Sequence, residues 1–467
     1  MKRIGIVVLF GLLVASAPAR AAVTFEYILS GGYPLHITPD GQTVAGNTTS
    51  YGAFRWTASG GLVPLGMDAT PSPGGTPGIS DDGTKVAATI ASADTTYAAA
   101  GLWTLGTGWS QCMPPGPSDI GIVDRTQSDT YGLSGDGSTV VGLYWRPGLR
   151  AHAFRWTQAG GGVDLGSKYA GHASRANGVN QDGSLVCGWD EAPFGNWSPA
   201  AWLNGVEHVF GDSTTDGQCQ ASNPAGTILV GFEQNPANTT RELAMWTRTG
   251  TTWGTTQFLG ALPGTEAGGY GINIGNGVTA DGSMVVGYCS YDGSPYSPAG
   301  FVWTPQTGIE DVVTWLGDHG VAVDQSFYVF SLTGITPDGQ WIIGFGRDIL
   351  APYATRGFRI HNTDIAAVTP ATQAPRTLAL AAPSPNPSRG TATLVFTLPR
   401  QGAAELAVFD PSGRRVATPA NADFAAGPHT VTWNGRADDG RPLPAGLYFA
   451  RLVTAQGTLS RRLVRIR

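Results

Sequence analysis

The chain has 467 residues, of which 67 are Gly and only 13% are charged. So few charges exclude a fold of long solvated helices, and 10% aromatic residues, 14 of them Trp, exclude disorder for want of core material. The formal charge of −6 divides unevenly, with 14 Lys and Arg against 29 Asp and Glu over residues 22–383 and 11 against 5 from Ser384 onward, so an acidic body excludes a nucleic-acid partner.

The N-terminus comes first. Lys2 and Arg3 precede an apolar stretch from Ile4 to Ala15, and Ala19-Arg20-Ala21 places small residues where a signal peptidase reads them. The stretch is shorter than the roughly 20 residues a spanning helix needs. Residues 1–21 are therefore expected to be a cleaved signal peptide, leaving a mature chain that is secreted or held on the outer surface of a bacterium, with no transmembrane segment.

A phrase then recurs seven times: a small or apolar residue, usually Ser or Thr, Asp-Gly, and an apolar run closing on Gly. Its turn glycines are Gly41, Gly83, Gly137, Gly183, Gly226, Gly282 and Gly339, spaced by 42, 54, 46, 43, 56 and 57 residues. The copy at Gly226 is degenerate (Ser222-Asn-Pro-Ala-Gly226), and the copy at Gly83 closes on Ala88. Asp-Gly between apolar runs is a hairpin signal, because Gly accepts positive φ without a steric penalty. A second segment follows each turn, as in Ala53-Phe-Arg-Trp-Thr57, Ala153-Phe-Arg-Trp-Thr157 and Gly300-Phe-Val-Trp-Thr304, with Ile360 in the Trp position of the last copy. Strict alternation puts Phe and Trp on one face of this strand and Arg on the other. A Gly-rich turn and a final strand complete the unit. Four strands in about 45 residues is the arithmetic of a propeller blade. The second strand, apolar on both faces, suits a strand sandwiched between neighbouring sheets.

An open solenoid is the competing architecture. Seven copies suit a ring, the last copy lacks a clear fourth strand, and residues 24–29 are free to supply it, closing the ring and removing the open edge. The predicted fold is all-β: a seven-bladed β-propeller over residues 22–368, followed by a small Ig-like β-sandwich. With their Ser-x-Asp-Gly-x-x-Val-Val-Gly and Gly-Gly-x-x-x-Leu-Gly stretches, residues 36–360 resemble the bacterial extracellular HAF-repeat family. That resemblance implies location and fold more than an activity.

Residues 369–383 are rich in Ala, Pro and Thr and read as an extended linker. From 384 to 467, short strand-like runs alternate with turn signals such as Asp410-Pro-Ser-Gly413 and Asn434-Gly435. Ser384-Pro-Asn-Pro-Ser388, Val408 to Val416, Trp433 to Arg441 and Pro444 to Leu452 occur in order. This combination resembles both the FlgD-like Ig domain and the C-terminal sorting domain of the type IX secretion system, whose terminal strand the ending Arg461 to Arg467 is similar to. The resemblance implies a sorting or anchoring role, with the secretion machinery as a partner.

Chemistry is harder to find. The repeated Asp40, Asp82, Asp136, Asp182, Asp281 and Asp338 precede turn glycines, where an Asp bonds its own backbone, and no Asp-x-Asp-x-Asp loop points to calcium. The seven histidines form no metal or catalytic spacing, so no catalytic residue, metal or cofactor is assigned. Four cysteines in an exported chain allow two disulfides; Cys187 and Cys219 are expected to be neighbours across adjacent units, either bonded or as buried free thiols. The repeated Trp residues are expected to pack between blades. The irregular aromatics Trp109, Trp145, Trp189, Trp197 and Tyr296, in or beside variable loops, are the candidates for ligand contact. Two functional classes remain: a surface-displayed binding protein for an extracellular glycan or protein, and a secreted hydrolase or lyase acting on polysaccharide. Paired carboxylates of shifted pKa would mark the enzyme; aromatics with neutral polar groups would mark the binder.

Overall fold

The computed structural model describes residues 23–50, 52–66, 74–92, 98–112, 128–145, 150–211, 214–262, 271–290, 298–349, 354–363, 379–380, 383, 386–398, 402–424, 427–455 and 457–466. The expected signal peptide and most of the linker lie outside them. The chain divides into two compact units, Met1–Ala367 and Val368–Arg467.

The described residues of the first unit form seven antiparallel sheets, six built from consecutive strands. Sheet 1 is representative: an inner strand Gly32–Ile37, the Asp-Gly turn, Thr43–Thr48, Ala53–Thr57 and an outer strand Gly61–Pro64. The inner strands of sheets 2 to 7 are Gly78–Ile79, Ser128–Leu133, Ser174–Val179, Gly217–Ser222, Asn273–Val278 and Phe327–Ile335. Each inner strand touches the next, and that of sheet 7 touches that of sheet 1, so the sheets form a closed β-propeller. The outermost strand of sheet 7 is Val23–Ser30, which pairs antiparallel with Thr355–Asn362 and closes the ring through the N-terminal segment.

The repeated phrase has a mechanical explanation in each copy. In sheet 1 the Thr38 hydroxyl donates to the Asp40 carboxylate, which also accepts from the Gln42 N–H, while Thr43 N–H donates back to Thr38 Oγ1. The same pattern recurs at Asp82, Asp136, Asp182, Asp281 and Asp338. The Ser80 hydroxyl and Thr84 N–H hold Asp82 below the usual carboxylate range. These carboxylates are consumed by their own turns, and among the described residues no group of His, Cys, Asp and Glu is arranged to hold a metal.

The closing Gly answers a different constraint. In sheets 1, 3, 4, 5 and 6 the inner strand is bulged, at Leu35, Tyr131, Asn177, Gln220 and Asn276, and that of sheet 7 is bulged twice. Each bulge leaves an inner-strand carbonyl over the Gly opposite: a Cβ on Gly142 would lie 1.9 Å from Asp129 O, and one on Gly287 would lie 2.0 Å from Ile274 O and 2.7 Å from the Phe301 ring. Phe54, Phe154, Phe301 and Phe358 fill the space these glycines leave and are fully buried.

The Arg of the Phe-Arg-Trp segment joins one sheet to the next. Arg55 Nε donates to Gly83 O at 2.8 Å and Arg155 Nε to Gly183 O at 3.2 Å, in each case the turn carbonyl of the following sheet. Lys85 makes the equivalent bond to Gly137 O at 2.9 Å. At the closure Arg359 Nη1 reaches Gly41 O at 2.7 Å, lies over the Trp56 and Trp341 rings, and pairs with Glu26 of the closing strand.

Three details complete the propeller. All four cysteines are free and buried; Cys187 and Cys219 share one apolar cluster between sheets 4 and 5 but are not bonded. Burial pushes the Cys187 thiol up to about 12 and Cys219 well above its ordinary value, depleting the thiolate that disulfide formation needs. The stretch after Gly308 is a short strand, Gly308–Asp311, and then a helix, Val312–Asp318, that Asp311 caps by accepting from Val313 and Thr314 N–H. Sheet 5 carries the extra strand Gln257–Gly260.

The second unit is a two-sheet sandwich. Ala379–Leu380, Ala392–Leu398 and Gly427–Trp433 face Arg415–Phe424, Gly402–Phe409, Gly446–Thr454 and Gly457–Arg465 across a core containing Phe396, Leu406, Trp433 and Leu452. Tyr448 O–H donates to Pro444 O at 2.8 Å, a tyrosine tie of the kind found at Ig-like corners. Asn386 and Ser388 hydrogen-bond along the terminal strand at Arg462, Val464 and Ile466, covering that part of its outer edge.

Replacing Gly287 by Ala forces a Cβ against a carbonyl and a buried ring, and an overpacked site of this kind costs about 2 kcal/mol or more. Gly317, on the helix with nothing within 4 Å of its added Cβ, is the control, and its Ala variant is expected to be as stable as the parent or more stable by up to about 1 kcal/mol. Denaturant unfolding of the two variants checks this.

Candidate functional site

The inner strands enclose a cavity of about 390 Å³, lined by residues from all seven sheets. The bulges decide what faces it: Leu35, Tyr131, Asn177, Gln220 and Asn276 stand at or beside register shifts and all line the wall. Its polar surface is neutral, with no Asp or Glu among the described lining residues. Ile79 N–H donates to His36 Nδ1 at 3.0 Å, and burial lowers the pKa of this histidine, so the ring is neutral with its proton on Nε2. Burial raises the Tyr131 and Tyr288 phenols, which therefore stay protonated hydrogen-bond donors.

The Asp-Gly turns follow the C-terminal ends of the inner strands. At the opposite end, where those strands begin, the side chains are aromatic. Arg175, the second residue of its strand, lies 4.7 Å from the Tyr131 ring centre, 5.4 Å from Trp189 and 5.8 Å from Trp197. Its Nε donates to Asn177 Oδ1 at 2.7 Å and its Nη2 to Gln218 Oε1 at 3.2 Å, so it bridges the inner strands of sheets 3, 4 and 5. Trp189 and Trp197 stack at 4.7 Å with their planes 8° apart. Trp197 is 41% exposed, Trp189 only 7%, and the Trp189 indole nitrogen is buried without a hydrogen-bond partner. Across the mouth, Tyr33 meets Phe345 edge-on at 4.9 Å, and Arg347 lies 4.9 Å over Phe330.

The sequence candidates separate accordingly. Trp189 and Trp197 come together at the mouth because they flank the hairpin between Leu185–Glu191 and Trp197–Leu203. Trp109 does not join them: its indole N–H donates to Leu65 O at 2.9 Å, sealing sheet 2 against sheet 1. Trp145 ends the second strand of sheet 3, half-buried opposite Ala151. Tyr296 lies outside the described residues. Arg175 and Tyr131 were missed because they precede the repeated phrase; the signal was a large polar residue two to four places into several inner strands, as at Tyr33, Tyr131, Arg175 and Gln218.

A second cluster lies where sheet 3 meets sheet 4. Asp190, fully buried, accepts from the Ser167 hydroxyl at 2.5 Å and from Lys168 N–H at 2.8 Å. Glu207 hydrogen-bonds to Asp190, and burial, reinforced by that neighbouring charge, pushes Glu207 up to about 8. Two carboxyls this close hold one proton between them.

Residues 385–458 match the model of the FlgD Ig-like domain. No curated protein matches the chain. Among solved structures it is similar to TolB from Acinetobacter baumannii, at 14% identity and a TM-score of 0.34 over 49% of this chain, and it spans only 56% of that one. It is also similar to an oligogalacturonate lyase from Vibrio parahaemolyticus, at 11% identity and a TM-score of 0.44, covering 73% of this chain and 96% of that one. The β-propeller domain of the Trilobed protease from Pyrococcus furiosus gives 10% identity and a TM-score of 0.43 over 72% and 96%.

Glu207 makes stability depend on pH. Its folded pKa of about 8 lies above the ordinary 4.5, so its contribution is fully present below 4.5 and is lost as pH rises toward 8. Thermal midpoints of the parent are expected to fall across that window, and Glu207→Gln, which cannot ionise, is expected to flatten the fall.

Proposed function

We propose that this protein is an extracellular binding protein whose propeller holds a glycan or protein ligand at the aromatic end of its channel. The observation that carries this is the cluster of Trp189, Trp197 and Arg175 packed beside Tyr131, which itself lines a cavity walled by neutral amides and hydroxyls. Such a surface grips a ring face and offers directed hydrogen bonds without a group to cleave anything. The N-terminal pattern supports export. The resemblance to HAF repeats and to type IX sorting domains supports delivery to, or anchoring at, the cell surface by the C-terminal domain.

One observation favours the enzyme reading: the proton-sharing Asp190–Glu207 pair has the shifted pKa that a catalytic acid needs. Against it, Asp190 is fully buried and already held by Ser167 and Lys168, so a substrate would have to displace both. Proximity to catalysis therefore belongs to the alternative of a polysaccharide hydrolase or lyase, which ranks second.

A glycan array combined with a polysaccharide turnover screen separates the two. Binding without turnover, weakened about tenfold by Trp197→Ala, is the expected result, since one stacked ring contributes on the order of 1 kcal/mol or more. Turnover abolished by Glu207→Gln would replace this reading with the enzyme.

A further inference from the structure

We infer that the ligand at the channel mouth is an acidic sugar, whose carboxylate is received by Arg175 and Trp189 while its ring lies against Trp197. The inference rests on the binding reading above and adds the chemical class of ligand.

Arg175 spends Nε and one Nη2 hydrogen on the amide oxygens of Asn177 and Gln218, and a third donor on the Tyr131 phenol oxygen. A guanidinium carries five N–H donors, so two remain. Among the described residues no carboxylate pairs with it. The nearby acids are otherwise engaged: Glu191 with Arg150 at 2.9 Å, Asp216 with Arg241 at 2.9 Å, and Asp129 with the Thr89 hydroxyl at 3.3 Å. An uncompensated cation in a half-buried wall favours an anion, and a planar guanidinium edge matches a carboxylate.

The second donor is independent of the first. The Trp189 indole N–H is buried and unpartnered in a residue 93% buried, a state that costs about 1–3 kcal/mol unless an acceptor arrives. Both unspent groups are donors, and they share one corner of the mouth, with Arg175 5.4 Å from the Trp189 ring. A ligand that satisfies both must bring acceptors. The exposed Trp197 beside them is an apolar plate suited to the C–H face of a pyranose ring. An acceptor-rich acid attached to a ring with an apolar face is a uronic sugar.

The test uses the full mature chain, a short oligomannuronate, and the same oligosaccharide after carboxyl reduction, with titration calorimetry as the readout. The parent is expected to bind the acid form about tenfold or more tightly than the reduced form, as a charge-assisted hydrogen bond implies. Arg175→Gln should erase that difference, Arg175→Lys should keep part of it, and Trp197→Ala should weaken both ligands. The comparison of the two ligands on the parent needs no variant to fold. Equal affinity of the parent for both, with Trp197→Ala still weakening each, would overturn the acidic ligand and leave the binding reading standing. If neither oligosaccharide binds while a neutral glycan from the array does, the acid site again falls alone; if no glycan binds at all, both fall.

Discussion

Everything in the propeller depends on closing a ring whose two ends lie at opposite ends of the chain. Val23–Ser30 joins the sheet completed by Thr355–Asn362, and Arg359 fastens the seam by touching Glu26, Gly41, Trp56 and Trp341 together. The same device works between other sheets, where Arg55, Arg155 and Lys85 reach the neighbouring turn carbonyl. A turn glycine at positive φ turns its carbonyl outward, and a cation from the next sheet is the natural partner for it. Sequential sheets are held by connected chain as well; at the seam, pairing and this clasp must hold without it.

Much of this was legible in the sequence because the constraints are local and repeated. Asp-Gly marks the hairpin, the doubly apolar run marks the sandwiched strand, and the closing Gly is needed where the bulged carbonyl approaches. The alternation of Ala-Phe-Arg-Trp-Thr puts Phe and Trp on one face, and Phe54 and Phe154 are fully buried there, but the purpose of the Arg was invisible, since its partner lies in a different sheet. The strand Arg415–Phe424 was missed for the opposite reason: only Ala417 among its ten residues is buried, so no apolar alternation announces it. The helix at Val312 depends on one capping Asp inside a unit that elsewhere continues as strand or loop.

The site was half legible. Irregular aromatics beside variable loops are a fair filter for ligand contact, and it caught Trp189 and Trp197. It also caught Trp109, whose indole bond to Leu65 makes it a seal between sheets. Nothing in one dimension joins Arg175 to Tyr131 and Gln218, which sit 44 and 43 residues away on neighbouring strands and meet only around the channel axis. The Asp190–Glu207 pair was equally hidden, since Asp190 is the penultimate residue of one strand while Glu207 belongs to the outer strand of the same sheet.

The bulge in the inner strands has an evolutionary meaning. An extra residue per strand, outside the pairing register and turned to the channel, is freed from the core's demands on size and polarity. Leu35, Tyr131, Asn177, Gln220 and Asn276 already differ in chemistry while the sheets around them keep one plan. Duplicating a repeat copies the scaffold, and a single later substitution rewrites one segment of the channel wall. Foldability and specificity are thereby written at separate positions of the same short phrase, so descendants of this chain can change what they hold without relearning how to fold.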